Sequence, residues 1–257
     1  MKLRNKQGLA QQGGFTLLEL LLVIAILSIV IGTVFSQLNS AQQRLATEES
    51  RLDDFQQARD FVDQFFRDIN QIGTPNANMF DTSLMTVGAT SSYAYMHPFS
   101  FDSRFAVGLV SIGPSGLQFE GSMSGNGTVQ SVIYQVNGNG NCQYCMQRSQ
   151  ADKTNASPLG QGTSWGTEVN DVVINANQPI FRYFEYDGTE ITTAQDISSQ
   201  SGAQTLAKIK TIQINLTIRN NNVMDAQTHQ AIETNFEGEI SINNCSMAAN
   251  SQNMSCQ

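Results

Sequence analysis

The feature that most constrains this chain is a long apolar stretch with one acid near its start. Residues Phe15 to Phe35 are strongly apolar, and no charged side chain occurs between Leu20 and Gln43. As a helix, the apolar stretch is ~31 Å long, which is enough to cross the hydrocarbon core of a bilayer. Glu19 lies within it, and a carboxylate in hydrocarbon costs about 2.5–3.5 kcal/mol on insertion scales. The sequence therefore predicts a membrane helix whose single carboxylate needs a partner.

The segment before this stretch, residues 1–14, is short and polar, with three basic residues and no acid. Because basic flanks stay in the cytoplasm, we expect the chain beyond the helix to be exported. An ordinary signal peptide has its small-residue cleavage site after the apolar region. Gly32 and Thr33 make a poor site of that kind, whereas Gly13-Gly14 precedes the apolar run. Cleavage there would remove the leader and keep the anchor.

The stretch "GGFTLLELLLVIAILSIVIG" resembles the class III leader and N-terminal helix of type IV pilins and type II secretion pseudopilins. In that family a prepilin peptidase cleaves after the leader glycine and methylates the new N-terminus. The resemblance implies cleavage after Gly14 and N-methylation of Phe15. It also makes Glu19 the fifth mature residue, where the family has an acid thought to pair with the N-terminal ammonium of an adjacent subunit. Such a pairing would supply the partner that Glu19 needs.

A second, amphipathic helical pattern follows the membrane segment. Apolar residues recur there at spacings of mostly three and four, which places them on one helix face. They are Leu45, Leu52, Phe55, Ala58, Val62, Phe65, Phe66, Ile69 and Ile72. Gly73 followed by Thr74-Pro75 is a helix stop. We therefore predict one helix from Phe15 to Ile72, apolar all round in its first part and amphipathic in its second.

After Pro75 the hydrophobic pattern changes to a period of two, which indicates strands. The segments are 105–121, read as two strands around a Gly-Pro turn, and 129–136, 180–186, 209–219 and 236–243. Tracts 137–141 and 155–166 are predicted loops. One face of each strand is apolar, as in an antiparallel sheet with one solvated face. The predicted fold class is α+β, with a long N-terminal helix packed on a mostly antiparallel β-sheet, as in pilins.

We predict four segments from these patterns. They are a leader at 1–14, a transmembrane and assembly helix at 15–38, its amphipathic continuation at 39–73, and a β-rich periplasmic domain at 74–257. The resemblance implies a single-pass protein of the bacterial inner membrane that later enters a pilus or pseudopilus filament. Its implied partners are other pilin subunits, the prepilin peptidase and the inner membrane.

The charge of the chain bears on its other partners. The formal net charge is −8, and the basic leader accounts for several of the few positive charges. Nucleic-acid binding needs a basic patch to neutralise phosphates, and the acidic body offers none in its composition. No nucleic-acid partner is expected.

All four cysteines lie in the distal half of the chain. An even number of cysteines beyond a membrane segment indicates disulfides formed in an oxidising compartment. The cysteines are Cys142, Cys145, Cys245 and Cys256. We favour pairs 142–145 and 245–256, because each closes a short loop, and a terminal pair also resembles many pilins. A bond between the two regions, or a redox or metal role for the C-x-x-C pair, stays open at this point.

No catalytic pattern is evident. His97 and His229 have no nucleophile or carboxylate in a recognisable spacing, and "GPSG" at 113–116 lacks the G-x-S-x-G form of a nucleophile elbow. Three acids, Asp187, Glu190 and Asp196, are candidates for calcium binding, but they lack EF-hand spacing. We expect no enzyme activity, no cofactor and no metal.

The family resemblance implies a filament subunit. Many major pilins have a proline at the place of Ser36, and this chain is larger than a typical major pilin. Both points favour a minor pilin that initiates or assembles a type IV pilus. The strand order resembles the larger PilW-like minor pilins and J-type pseudopilins of type II secretion, so a J-type pseudopilin is the alternative. An adhesin or DNA-binding pilin module is an alternative of another class.

Overall fold

The computed structural model describes residues 16–75, 99–137, 143–162, 164–175, 177–225 and 230–242. Contacts divide the chain into two compact units, Met1–Glu48 and Glu49–Gln257. The elements are α1 (Leu17–Ile69), β1 (Leu109–Gly113), β2 (Gly116–Gly121), β3 (Gln130–Val136), β4 (Met146–Asp152), β5 (Trp165–Val169), β6 (Phe181–Glu185), β7 (Glu190–Ile191), β8 (Gln195–Asp196), α2 (Gln200–Lys208), β9 (Ile209–Met224) and β10 (Ala231–Ser241). A long N-terminal helix followed by antiparallel strands confirms the predicted α+β class. The four predicted segment boundaries stay predictions.

The long helix ends slightly before its predicted end. Its last helical residue is Ile69, after which the backbone tightens into a turn in which the Ile72 N–H donates to the Ile69 carbonyl at 3.1 Å. Gly73 then adopts a φ of 74°, a left-handed conformation that glycine accepts without strain. Ile72 has left the helix and forms an antiparallel bridge with Gly121. The stop signal was therefore placed correctly, but the helix frays into the turn three residues earlier.

The predicted apolar face of the helix is buried only in its last three turns. Leu45, Leu52 and Phe55 are 69%, 60% and 47% exposed, so these three residues of the predicted apolar face are not part of the core. From Ala58 onward the face is buried, or partly buried at Val62 and Phe66, because the sheets of the second unit cover it there. The Phe55 ring contacts that of Phe236, with ring centroids 5.1 Å apart.

The strands form two sheets where the sequence predicted one. Strand order is β5-β4-β3-β2-β1-β8 in the six-stranded sheet and β10-β9-β6-β7 in the four-stranded sheet. Every pair of neighbouring strands is antiparallel. The predicted strands at 129–136, 180–186, 209–219 and 236–243 correspond to β3, β6, β9 and β10. The segment 105–121 forms β1 and β2, as predicted.

Phe65 on α1 ties the helix to both sheets. Its ring centroid lies 5.3 Å from that of Tyr134 on β3 and 5.5 Å from that of Phe181 on β6. All three side chains are at most 2% exposed. Aromatic pairs at these distances add about 0.5–1.5 kcal/mol beyond area burial. The core of the second unit is therefore centred on the last turns of α1.

The alternation predicted for 209–219 is confirmed in β9. Ile212, Ile214, Leu216 and Ile218 are buried, and the residues between them are partly or fully exposed. On the adjacent strand β10, Gly238 lies so close to the Phe66 ring that an added Cβ would collide with it. A glycine is required there because the helix packs directly on the strand backbone.

Four strands and the second helix were not predicted. Strands β4, β5, β7 and β8 are short or polar, and β5 begins within the tract predicted as a loop at 155–166. Helix α2 has a conventional N-cap, since the Ser199 Oγ accepts a hydrogen bond from the Gly202 N–H at 3.0 Å. Polar strands of this kind have too weak an alternation to stand out from a Gly- and Ser-rich background.

Candidate functional site

The first part of α1 presents apolar side chains outward on all sides. Within the first unit, residues 16–46 are exposed, and they include every leucine, isoleucine and valine of the apolar stretch from Leu17 onward. Among the described residues, α1 is the one helix whose length and composition suffice to cross a membrane, with a mean hydropathy of 2.8 over its most apolar window. An uncovered apolar helix of this length is stable where lipid or other helices cover it.

Thr16 and Glu19 form a capping box at the start of this helix. The Thr16 backbone N–H donates to the Glu19 Oε2 at 3.1 Å, and the Thr16 hydroxyl donates to the same oxygen at 3.2 Å. In return, the Glu19 N–H donates to the Thr16 Oγ1 at 3.3 Å. This reciprocal arrangement satisfies N–H groups that the first turn leaves without helical partners. The Thr-x-x-Glu pattern that signals it was present in the sequence and was not used.

The capping box gives the Glu19 carboxylate a fixed position. Its charge lies at the positive end of the helix dipole, next to the point where the chain enters the helix. A carboxylate held there favours a nearby cation, such as an ammonium group. Gly14 and Phe15, the predicted cleavage and methylation residues, lie outside the described residues, so their predicted roles stay predictions.

Of the four cysteines, only Cys145 lies within the described residues. It is buried and disulfide-bonded. The Asn137 Oδ1 accepts from the Tyr144 N–H at 2.6 Å and from the Cys145 N–H at 3.3 Å. Cys142, Cys245 and Cys256 fall outside the described residues, and the predicted pairing stays a prediction.

The three acids weighed as calcium ligands are each engaged with a nearby protein group. Asp187 accepts from the Thr189 N–H at 2.9 Å, and Asp196 from the Ser198 N–H at 2.8 Å. Glu190 forms a bidentate pair with Arg182, with both N···O distances 2.7 Å. In the described part of the chain, no three or more His, Cys, Asp or Glu side chains are grouped as a metal site would need. His97 and His229 lie outside that part.

A buried polar cluster lies where the helix meets the six-stranded sheet. Asp68 on α1 is 3% exposed and accepts three hydrogen bonds. The donors are Gln64 Nε2 at 2.7 Å, the Tyr134 hydroxyl at 2.7 Å and Arg148 Nε at 2.8 Å. Burial, together with the Asp68 charge, raises the pKa of Tyr134 well above its ordinary value. The tyrosine therefore stays a neutral donor, and the charge of Asp68 is balanced by Arg148.

A second buried pair lies on the six-stranded sheet, between Lys153 and Glu120. Their side chains are fully buried, and Lys153 Nζ donates to Glu120 Oε2 at 2.6 Å. Nζ also donates to the carbonyls of Ser100 and Phe105 at 2.8 and 2.7 Å. Burial lowers the pKa of Lys153 and raises that of Glu120, because both charged forms are removed from water. The pair fastens the turn at residues 99–105 to the sheet.

A polar cleft of about 570 Å³ opens next to the Asp68 cluster. One wall is the polar face of α1 around Gln57 and Gln64, and the other comprises Arg148 on β4 and Glu168 on β5. Burial raises the pKa of Glu168, and the charge of nearby Arg148 opposes that shift. The sequence analysis predicted no cleft here, because its walls come from segments far apart along the chain.

Comparison with known families gives one match. Residues 9–35 match the family described as "Prokaryotic N-terminal methylation motif". This match supports placing the chain in the type IV pilin and pseudopilin family, whose members carry the class III prepilin leader. No curated protein matches the chain, and no solved structure does. The motif supports a pilin-like or pseudopilin structural subunit that assembles with other subunits and is processed by a prepilin peptidase.

Proposed function

We propose that the protein is a minor pilin-like filament subunit, cleaved by prepilin peptidase after Gly14, that takes part in initiating or assembling a type IV pilus. The single observation that supports it most is the combination of the methylation motif at residues 9–35 with an apolar helix exposed from its first turn. The subunit would reside in the inner membrane with its β-rich unit in the periplasm until it enters the filament.

Glu19 supplies the proposed assembly contact. The capping box already fixes its carboxylate at the helix start, through Thr16. The N-terminal ammonium of a neighbouring subunit, freed by cleavage, would pair with this carboxylate in the membrane, where a charge is tolerable next to an opposite charge. The carboxylate could therefore exchange its partner, from the Thr16 donors to the ammonium of the neighbouring subunit, without a large reorientation.

The test is the Glu19→Ala variant, expressed as the full-length chain with the prepilin peptidase and the other filament subunits. We expect normal membrane insertion and strongly reduced recovery with isolated filaments, because the ammonium loses its partner. Glu48→Ala is the matched control, since this acid lies on the same helix outside the apolar stretch. Equal incorporation of the Glu19→Ala variant and the unaltered chain would contradict the proposed pairing.

The J-type pseudopilin of a type II secretion system remains the second candidate, supported by the same motif. The two are separated by expressing the chain with either set of assembly proteins and isolating the filaments. If the chain is recovered in filaments only with the secretion components, the proposed pilus subunit would instead be a pseudopilus subunit. The adhesin or DNA-binding alternative has no structural observation in its favour, and the net charge of −8 opposes DNA binding.

A further inference from the structure

The polar cleft beside α1 contains hydrogen-bonding groups that the protein itself leaves unused. The cleft lies within the second unit and is lined by α1, by the chain after β2, and by β4 and β5. Phe61 belongs to its lining but is only 2% exposed. The accessible lining is therefore mainly polar, with the partly buried Met123 as an apolar part.

Arg148 supplies the unused donors. Its Nε edge is occupied, since it donates to Asp68 Oδ2 at 2.8 Å and to the Tyr134 hydroxyl at 3.1 Å. Within the described residues, its two terminal nitrogens have no hydrogen-bond acceptor. The side chain is only 14% exposed, and its guanidinium carbon lies 5.8 Å from the Tyr134 ring centroid. Packing on one side and Asp68 on the other hold these two nitrogens in place at the cleft.

Glu168 supplies an unused acceptor in the same wall of the cleft, on the strand next to that of Arg148. It is half-buried on β5, and in the described part of the chain its carboxylate has neither a hydrogen-bond donor nor an ion-pair partner. Burial raises the pKa of Glu168 and the charge of Arg148 lowers it, without an ion pair between the two side chains in the described part of the chain. Arg148 pairs with Gly166, so Glu168 lies two residues along the adjacent strand, and the wall offers a donor and an acceptor side by side.

Two glutamines continue this pattern of donors and acceptors. Gln57 accepts from the Asn170 N–H through Oε1, at 3.3 Å, and its amide nitrogen has no acceptor among the described residues. Gln150 donates from Nε2 to Gln130 at 2.7 Å, and its amide oxygen has no donor in the same part of the chain. The cleft thus presents both hydrogen-bond donors and hydrogen-bond acceptors.

The charges of the cleft nearly cancel. Arg148 is balanced by Asp68, and the remaining charged side chains are Arg67, Asp60 and Glu168. No single sign dominates, so a free anion or cation gains little from the site as a whole. The complementary group is one that is uncharged and carries an acceptor and a donor side by side, as the amide does.

We propose that this cleft binds an extended polypeptide segment through its backbone amides, with a carbonyl accepting from the terminal nitrogens of Arg148 and an N–H donating to Glu168. Charge-assisted hydrogen bonds of both kinds are stronger than neutral ones, which suits recognition of a neutral group. The proposal concerns the second unit alone and does not depend on the filament function.

The experiment uses the full-length chain in detergent micelles, labelled with ¹³C-methyl methionine. Met123 lines the cleft, and its signal is assigned with the Met123→Leu variant. The probes are the capped tripeptide N-acetyl-trialanine amide, sodium acetate and methylammonium chloride. We expect the tripeptide to shift the Met123 signal saturably, with acetate and methylammonium acting much more weakly. The signal of Met224, at the far end of β9, should stay unchanged.

Two pairs of variants test the named groups. Arg148→Lys keeps the positive charge but removes the planar pair of terminal nitrogens, and Glu168→Ala removes the acceptor. Each should weaken tripeptide binding about tenfold or more, because a charge-assisted hydrogen bond is lost. The controls Arg182→Lys on β6 and Glu239→Ala on β10 lie outside the cleft lining and should bind as the unaltered chain does.

Three results would overturn the proposal. They are the absence of a saturable Met123 shift with the tripeptide, a response to acetate or methylammonium as strong as that to the tripeptide, and unchanged binding in both cleft variants. A response to acetate would identify a simple anion site at Arg148, and one to methylammonium a simple cation site at Glu168.

Discussion

Arg148 Nε on β4 lies 2.8 Å from Asp68 Oδ2 on α1, and this contact joins the helix to the six-stranded sheet. The side chains are 14% and 5% exposed, so the charges are largely removed from water. Removing one partner of a buried pair is strongly destabilising, because the other charge stays buried without compensation. The relationship therefore yields a prediction about stability.

We expect Asp68→Ala to lower the free energy of unfolding of the full-length chain by about 3–5 kcal/mol. The variant leaves Arg148 without its counter-charge and Tyr134 without its acceptor. Denaturant unfolding in detergent micelles measures this, followed by the fluorescence of Trp165, the one tryptophan of the chain. The control is Asp63→Ala, which breaks the exposed pair with Arg59 and should cost less than about 1 kcal/mol. Equal losses in the two variants would contradict the assigned role of Asp68.

Because Lys153 and Glu120 form a buried ion pair, we expect their substitutions to have coupled effects on the free energy of unfolding. Lys153→Met should lower the free energy of unfolding by about 3–5 kcal/mol, since Glu120 is left fully buried without its cation. Adding Glu120→Gln should recover part of this loss, because the double variant has no unpaired charge. A double-mutant cycle by the same unfolding measurement gives the coupling free energy. Additive losses would show that the two charges are not coupled.

The raised pKa of Glu168 predicts that the free energy of unfolding depends on pH. Burial raises the pKa of the Glu168 carboxyl above its ordinary value, so the folded protein binds the proton more tightly than the unfolded chain does. Stability therefore falls as the pH rises from about the unfolded pKa through the folded pKa, as the carboxylate becomes charged in the cleft. Glu168→Gln removes this loss and should stabilise the protein at neutral pH. The gain should be small, since the half-exposed group is screened by solvent.

The comparison is between the pH profiles of the unfolding free energy for Glu168→Gln and the unaltered chain. We expect the profiles to converge at acid pH and to separate as the pH rises. The control Glu239→Gln changes an exposed acid on β10 and should leave the profile unchanged. A Glu168→Gln profile that is lower at neutral pH would reverse the sign assigned to the burial of Glu168.

The parts of the fold that were predictable are those whose pattern is local. The alternation Ile212, Ile214, Leu216 and Ile218 fixes a strand face because side chains repeat every two residues. The stop at Gly73 is equally local, since it requires a left-handed backbone conformation. Leu45, Leu52 and Phe55 show the limit of this reasoning. Their helical spacing defines a face, but nothing in that spacing says where the surface that covers the face ends.

The polar groups show a different limit. Asp68 resembles any acid on an amphipathic helix, and its partners Tyr134 and Arg148 follow it by 66 and 80 residues. Their meeting depends on how the sheet packs on the helix, which no local pattern encodes. Glu19 is the contrasting case. Its partner Thr16 is three residues away, and the Thr-x-x-Glu spacing alone indicates a capping box, although the sequence analysis did not predict one.

The central claim is that the chain is processed as a pilin-like subunit, and the mass of its mature N-terminus tests this most directly. The full-length chain is expressed with a prepilin peptidase, purified from the membrane and analysed by mass spectrometry of its N-terminal peptide. The account predicts a chain that starts at N-methylated Phe15, with residues 1–14 removed. A chain that retains Met1 in the presence of active peptidase, or that is cut after the apolar helix, would contradict it.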